Sequence, residues 1–286
     1  MKRNRFIIVI AIMLAFGGCS GKKNEKNLSG IQQGLFSWSD SAVMEQREEL
    51  FGFMEKEQLG VLYQHFSKDL EVAEIRRFLK RAAKHDIQVY YLTGDARWAL
   101  ECDGASMKEQ VKRAEEINRG LAKEYRLQGI MMDTEPYLLP EWKKDEAVVM
   151  TNYLSAMKEA KKEANRYRLK YIACIPFYYD SQGYEKQLEE LVSTACDGLA
   201  VMNYSKYDEA EQIRTEMQIT EKYERPMIVI YELQKPGKHG LLEENTYYRE
   251  GIPGVRESVK KLEEVYGEGK FSFALHDYNG VLEGLP

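Results

Sequence analysis

Two carboxylates lie two residues apart at the end of an apolar segment, a spacing that could support acid–base chemistry. The segment is Gln128–Pro136, and the acids are Asp133 and Glu135. Residues two apart on a β-strand point to the same face, so both acids would face whatever the strand lines. Adjacent carboxylates raise each other's pKa, which keeps one of them protonated near neutral pH. The pair is a candidate for proton donation to a glycosidic oxygen, with a bridge to Arg or Lys as the structural alternative.

Short apolar segments alternate with longer charged segments of helical periodicity along the chain. Eight strands alternating with helices in a chain of 286 residues predict an α/β fold, a (β/α)8 TIM barrel in a single domain. An open doubly wound sheet is the alternative, but no Gly-rich nucleotide fingerprint follows the first strand. The predicted strands are Gly34–Trp38, Gly60–Phe66, Gln88–Thr93, Gly129–Glu135, Tyr171–Phe177, Gly198–Tyr204, Met227–Glu232 and Ser272–Asp277.

Polar or aromatic residues follow nearly every predicted strand, whereas the opposite strand ends carry ordinary loop residues. Active sites of (β/α)8 barrels lie at the C-terminal ends of the strands. Flat aromatic faces with a polar handle suit sugars, although core packing explains many such side chains equally well. The predicted substrate-binding residues are Trp38, His65, Asp95, Trp98, Tyr137, Tyr178, Asn203, His276, Asp277 and Tyr278.

The fourth predicted strand is similar to a signature of family 18 glycoside hydrolases, the chitinase-like barrels. The family pattern is Asp-Gly-x-Asp-x-Asp-x-Glu, and this chain has Gln128, Met131, Asp133 and Glu135 at the four acidic positions. The resemblance implies that Glu135 is the general acid. It also implies that Asp133 orients the acetamido group of the substrate, which acts as the internal nucleophile.

Two further resemblances concern the sixth and seventh strands. The family's sixth strand ends in Met-x-Tyr-Asp, and Met202–Ser205 is similar, which implies that Tyr204 hydrogen-bonds the acetamido group. Retaining glycosidases of the large barrel clan place their acid/base after strand four and their nucleophile after strand seven. Glu135 and Glu232 resemble that arrangement, with Thr134 where the clan usually has Asn. The predicted catalytic residues are Glu135, Asp133, Glu232 and Tyr204.

The leading functional prediction is a glycoside hydrolase that acts on a cell-surface or extracellular glycan by carboxylate acid/base catalysis. Gln128 and Met131 replace two family carboxylates, and Ser205 replaces the Asp after the Tyr. These departures favour an alternative, a non-catalytic degenerate barrel that binds glycan. A third hypothesis is a hydrolase of another polar substrate, such as a peptidoglycan peptide, but no nucleophile or metal motif supports it.

The first nineteen residues resemble the signal peptide of a bacterial lipoprotein. Lys2, Arg3 and Arg5 precede the apolar segment Phe6–Phe16, which is too short for a comfortable transmembrane helix. Small residues and Cys19 follow as in a lipobox, which implies lipidation of Cys19 on the outer face of the cytoplasmic membrane. An ordinary secretory signal is the alternative. We expect a signal peptide at 1–19, a flexible tether at 20–33 and the barrel at 34–286.

Charge and cysteine content limit the classes of partner. Without the signal peptide the chain has 38 basic and 46 acidic residues, a net charge of −8, so nucleic-acid binding has little support. Cys102, Cys174 and Cys196 form no CxxC pattern, although a Cys174–Cys196 disulfide is conceivable. Histidines end strands two and eight without HxH or HExxH spacing. We predict no metal and no cofactor. The expected partners are a carbohydrate and, through the lipid anchor, a membrane.

Overall fold

The computed structural model describes residues 33–284. The predicted signal peptide, the lipidation site Cys19 and all of the predicted tether except Gln33 lie outside the described residues. Within residues 33–284, every helix is too short or too polar to cross a lipid bilayer.

Eight parallel strands form a closed barrel, in which each strand pairs with its neighbours in sequence and the last pairs with the first. The (β/α)8 prediction is confirmed, and the open doubly wound sheet is excluded. Each predicted strand corresponds to an observed one, with ends that differ by up to three residues. The strands are β1 Gly34–Ser37, β2 Val61–His65, β3 Gln88–Thr93, β4 Gly129–Met132, β5 Lys170–Pro176, β6 Gly198–Met202, β7 Met227–Glu232 and β8 Ser272–His276.

Helices cover the outside of the barrel, and the longer ones bury one apolar face each. In α3 the residues Ile75, Phe78, Leu79 and Ala82 are buried at helical spacing, which fixes the face that packs on the sheet. In α5, Asp145 caps the N-terminus by accepting a hydrogen bond from the backbone N–H of Val148. The helices are α1 Ser41–Met44, α2 Arg47–Lys56, α3 Val72–Ala82, α4 Ala105–Asn118, α5 Glu146–Tyr167, α6 Glu185–Glu190, α7 Glu209–Gln212, α8 Arg214–Lys222, α9 Gly251–Tyr266 and α10 Tyr278–Gly284.

The sheet separates two apolar cores. The larger lies between strands and helices, and the smaller fills the barrel interior with side chains from all eight strands. Met131 on β4 and Cys174 on β5 belong to the interior, whereas Cys196 belongs to the outer core. Both cysteines are unpaired and buried, so the conceivable Cys174–Cys196 disulfide is not formed.

Strand β4 is shorter than predicted, and this affects the acid pair. It ends at Met132, although the backbone N–H of Asp133 still donates to the Thr93 carbonyl at 2.9 Å. Asp133 therefore continues the ladder and, two residues after inward-facing Met131, faces the interior. Glu135 lies in the loop, because Pro136 opens a single 3-10 turn and the residue before proline disfavours helix.

The backbone of Asp133 lies in close contact with Gly94, and this contact fixes its position. A Cβ atom on Gly94 would lie 1.7 Å from the carbonyl oxygen of Asp133. We expect Gly94→Ala to lower the free energy of unfolding by about 1–3 kcal/mol, because the backbone must shift to remove the clash. Denaturant unfolding measures this change.

Gly52 in α2 provides the matched control. It is exposed, and a methyl group added there would meet nothing within 4 Å. Gly52→Ala should raise the free energy of unfolding by about 0.5–1 kcal/mol, because alanine favours a helix interior. A Gly94→Ala variant as stable as the wild type would contradict the role given to Gly94.

Candidate active site

A ring of side chains faces the barrel interior at the C-terminal ends of the strands. Trp38 and Tyr204 pack on the interior core. The His65 ring centroid lies 5.5 Å from that of Trp38, and the His276 ring lies 6.0 Å from that of Tyr204. We call this ring, with the loop residue Glu135, the barrel mouth. Its members are Trp38, His65, Asp133, Glu135, Tyr204, Glu232 and His276.

Glu135 is a partly buried carboxyl group with the Tyr137 hydroxyl as a hydrogen-bond donor to its Oε1. Burial and the nearby charge of Asp133 raise the pKa of Glu135 to about 7. The Tyr137 hydrogen bond and the His276 charge oppose this shift without cancelling it. Near neutral pH the group can therefore both donate and accept a proton, as a general acid/base must.

Asp133 lies deeper in the mouth than Glu135. Its Oδ1 is buried and has no hydrogen-bond partner within residues 33–284. Burial raises the pKa of Asp133, while the charge of His276 and the neighbouring Cys174 thiol lower it in part. The sequence predicts Cys174 as a small buried residue in the middle of a strand and gives it no role in the site. Its inward position on β5 could have been found from the alternation along that strand.

Glu232, His276 and Trp38 form a continuous hydrogen-bonded chain across three adjacent strands. Glu232 Oε1 accepts from the backbone N–H groups of Leu233 and Gln234 at 2.9 and 2.7 Å. Its Oε2 lies 2.9 Å from His276 Nδ1, and Trp38 Nε1–H donates to His276 Nε2 at 3.2 Å. Both carboxylate oxygens of Glu232 are thus engaged, and only 3% of the residue is exposed.

Two effects of opposite sign act on the pKa of His276. Burial lowers the pKa of His276, but the charge and hydrogen bond of Glu232 outweigh it and raise the pKa above its usual value. The Trp38 N–H can donate only to an unprotonated Nε2. The observed geometry therefore corresponds to the neutral ring with its proton on Nδ1. Glu232 favours a second proton on the ring, whereas the Trp38 N–H aimed at Nε2 opposes it, so protonation of Nε2 and the Trp38 hydrogen bond exclude each other.

Aromatic side chains flank Glu135 on the loops after β4 and β5. The rings of Tyr137 and Tyr178 meet edge to face with centroids 5.6 Å apart. Both side chains are partly exposed, so a ligand at the mouth could contact them. Behind them Tyr179 is buried and stacks on Trp142, where it belongs to the core.

Three predicted binding residues lie on the outward side of the sheet. Asn203 is 1% exposed and donates to the Glu209 carbonyl at 3.3 Å. Asp277 is buried and accepts from the Gly280 backbone N–H at 2.8 Å, at the start of α10. Tyr278 is 1% exposed and packs in the outer core. Asn203 adjoins the inward-facing Tyr204, so alternation turns it away from the mouth, whereas Asp277 and Tyr278 are held by their contacts with α10 and the outer core.

Asp95 and Trp98 lie in the loop after β3 and are also outside the ring. Asp95 accepts hydrogen bonds from the backbone and guanidinium of Arg97, and these bonds hold the pKa of Asp95 below its usual value. Trp98 is partly buried and packs against the outer core. Neither side chain is held in the mouth by any contact within residues 33–284.

The mouth combines a proton donor with a second carboxylate and little positive charge. No Lys or Arg within residues 33–284 shifts the pKa of Asp133 or Glu135, so the structural alternative of an ion pair is not observed. No group of three His, Cys, Asp or Glu side chains in the same residues is arranged to hold a metal ion.

Comparison with known proteins gives structural matches only. No protein-family model and no curated protein matches the chain. A chitinase from Bacteroides thetaiotaomicron superposes with a TM-score of 0.55 and 10% identity, over 87% of this chain and 90% of that one. A mutant GH18 chitinase from Cycas revoluta in complex with (GlcNAc)4 gives 0.53 and 11%, over 88% and 96%. The chain shares the (β/α)8 barrel fold of these chitinases.

This likeness concerns the fold and not the reaction. A D-psicose 3-epimerase from Clostridium cellulolyticum H10 also matches the chitinase-like barrel, with a TM-score of 0.52, 11% identity, and coverage of 86% of this chain and 84% of that one. At such identities the comparisons leave the activity to be argued from the side chains in the mouth.

Burial of Glu135 should make the stability of the protein depend on pH. Its pKa rises from the ordinary value to about 7 on folding, so the folded state is favoured at low pH and loses that advantage as pH rises to about 7. Glu135→Gln cannot ionise and does not lose this stability. The free energy of unfolding of the variant, measured relative to that of the wild type, should therefore increase by about 2 kcal/mol when the pH is raised from about 5 to about 8. Denaturant titrations at the two pH values measure it.

Glu264→Gln, at an exposed position of α9, removes the same charge and serves as the control. Its stability difference from the wild type should change little between the two pH values. An equal change in both variants would show that the effect comes from net charge and not from burial of Glu135.

Proposed function

We propose that this chitinase-like barrel is a glycoside hydrolase in which Glu135 is the general acid/base. Asp133 orients the substrate and stabilises the positive charge that develops at the sugar. Tyr204, whose pKa burial raises well above its usual value, keeps its proton and donates a hydrogen bond to the substrate. The natural substrate is a glycan outside the cell.

The observation that carries this proposal is the placement of the acid pair. Glu135 and Asp133 meet at the C-terminal end of β4, where the catalytic groups of barrel enzymes lie. Burial keeps Glu135 protonated at pH values where an exposed glutamate is ionised. A carboxyl group with such a pKa, beside a second carboxylate and flanked by aromatic rings, is what cleavage of a glycosidic bond needs.

Of the two glycosidase mechanisms that the sequence suggests, the geometry favours the one without Glu232 as nucleophile. Both oxygens of Glu232 already accept hydrogen bonds from backbone N–H groups and from His276. Attack on a sugar carbon would require the loss of these contacts from a buried charge, which is costly. An N-acetylated sugar that supplies its own acetamido nucleophile avoids that cost.

One observation favours the alternative of a binding-only barrel. The interior below Asp133 holds the apolar Met131 and the thiol of Cys174, so neither of these neighbours supplies a second carboxylate to support Asp133 from beneath. A glycan could still stack on the aromatic side chains of the mouth without being cleaved. The experiment must therefore measure binding as well as turnover.

The test is hydrolysis of N-acetylglucosamine oligomers and 4-nitrophenyl glycosides by the full chain, with product release followed over a range of pH. The oligomers are chosen because a neighbour in fold is described in complex with (GlcNAc)4. Glu135→Gln should lower kcat by about 10²–10⁴-fold, as expected for loss of a general acid. Wild-type activity should fall as pH rises through about 7, because Glu135 must be protonated to donate.

Tyr137→Phe supplies the control for the pH profile. It removes the hydrogen bond that lowers the pKa of Glu135, so the alkaline limb should move to higher pH. Turnover that survives Glu135→Gln unchanged would reject this site. Binding of the oligomers without turnover in the wild type and in Glu135→Gln would identify a non-catalytic glycan-binding barrel.

We also propose that the protein is exported and anchored through a lipid on Cys19, as its N-terminal sequence suggests. In a bacterial host, metabolic labelling with an alkyne fatty acid should mark the full chain in the membrane fraction. Cys19→Ser should remove the label and release the protein from that fraction. An unlabelled wild-type protein recovered outside the cell would indicate an ordinary secretory signal.

A further inference from the structure

The carboxylate of Glu232 is fixed at both ends by the chain itself. Two successive backbone N–H groups, of Leu233 and Gln234, donate to Oε1, which leaves only Oε2 to face His276. A carboxylate accepts hydrogen bonds and donates none, so the proton between Oε2 and the ring must belong to His276 Nδ1. Glu232 therefore sets both the orientation and the tautomer of the imidazole.

The orientation of His276 in turn fixes Trp38. In the neutral form that the structure shows, with its proton on Nδ1, the ring presents a lone pair at Nε2, and the Trp38 indole N–H donates to it at 3.2 Å. His65, at the end of the neighbouring strand β2, lies on the other side of the indole from His276, with its ring centroid 5.5 Å from that of Trp38 and its Nδ1 3.1 Å from the Leu92 carbonyl. The indole is thus held between strands β2 and β8 and does not rotate freely.

Trp38 occupies the place where a flat surface would meet a ligand. Its side chain packs on the barrel interior below and remains partly exposed above. It shares the mouth with Asp133 and Glu135, so a sugar positioned for the acid pair lies over the same opening. A rigid indole presents its face to the C–H surface of a sugar without the entropic cost of ordering a mobile side chain.

We propose that Glu232 and His276 are positioning residues that hold the Trp38 indole across the barrel mouth as the platform for a neutral sugar ring. The positioning is a property of the protein alone, whereas the platform role rests on the proposed glycan-directed function. Glu232 then acts through His276 and Trp38 and does not touch the reacting atoms.

The positioning is tested without any ligand, in the amide and indole N–H spectrum of the 15N-labelled protein. The chain has three tryptophans, Trp38, Trp98 and Trp142, and Trp38→Phe assigns the Trp38 indole signal by its disappearance. In Glu232→Gln the backbone N–H groups of Leu233 and Gln234 hold the amide oxygen, so the new NH2 group faces His276 Nδ1. His276 must then carry its proton on Nε2, and Trp38 loses its acceptor.

The expected result is an upfield shift of the Trp38 indole proton in Glu232→Gln, with the Trp98 and Trp142 signals as internal references. His276→Phe keeps a ring of similar size without an acceptor, and it should produce a shift in the same direction. This second variant keeps the test decisive if Glu232→Gln does not fold. An unchanged Trp38 signal in the folded variants would overturn the proposal.

Binding of the N-acetylglucosamine tetramer tests the platform. Trp38→Ala should weaken binding about tenfold, and Glu232→Gln should weaken it less. In a Trp38→Phe background, which has no indole N–H to orient, Glu232→Gln should have little further effect. Equal binding by Trp38→Ala and the wild type would overturn the platform role. If the indole signal shifts but the wild type binds no tetramer, the positioning holds, and the platform and proposed function fail for this class of glycan.

Discussion

The burial of three carboxylates at one end of a closed barrel is the constraint on which the rest of the site depends. Asp133, Glu135 and Glu232 lie in one mouth, and each is accommodated differently. Glu232 accepts hydrogen bonds from two backbone N–H groups and from His276, and Glu135 accepts one from the Tyr137 hydroxyl. Asp133 Oδ1 receives no partner within residues 33–284. Environments that differ in this way push the roles of chemically similar acids apart.

The architecture and the acid pair could be predicted from the sequence, because both depend on patterns that are local in the chain. Strands that alternate with amphipathic helices specify a barrel, and a barrel specifies which strand ends matter. The side of the sheet to which each strand-end residue points was predicted less well. Asn203 lies one residue from Tyr204, and a displacement of one residue turns a side chain to the other side of the sheet.

The hydrogen bonds that join Glu232, His276 and Trp38 could not be predicted from the sequence for a different reason. All three residues lie at the ends of strands that are neighbours in the closed sheet, and the sequence predicts each of them as a site residue. Hydrogen bonds between them depend on side-chain rotamers and on the two backbone N–H groups after β7, and no periodicity encodes these. Cys174 shows the same limit, since its contact with Asp133 arises from packing between β4 and β5.

The apolar layer of Met131 and Cys174 beneath the acid pair affects how that pair holds its proton. A carboxylate layer below would repel a second negative charge and could share a proton with the pair through hydrogen bonds, whereas an apolar layer adds mainly desolvation. Burial raises the pKa of both acids, so the pair retains a proton at pH values where exposed carboxyl groups are ionised. A neutral sugar over the mouth would exclude more water and favour the protonated form of Glu135 further. Ligand binding and protonation of the general acid therefore reinforce each other in this barrel.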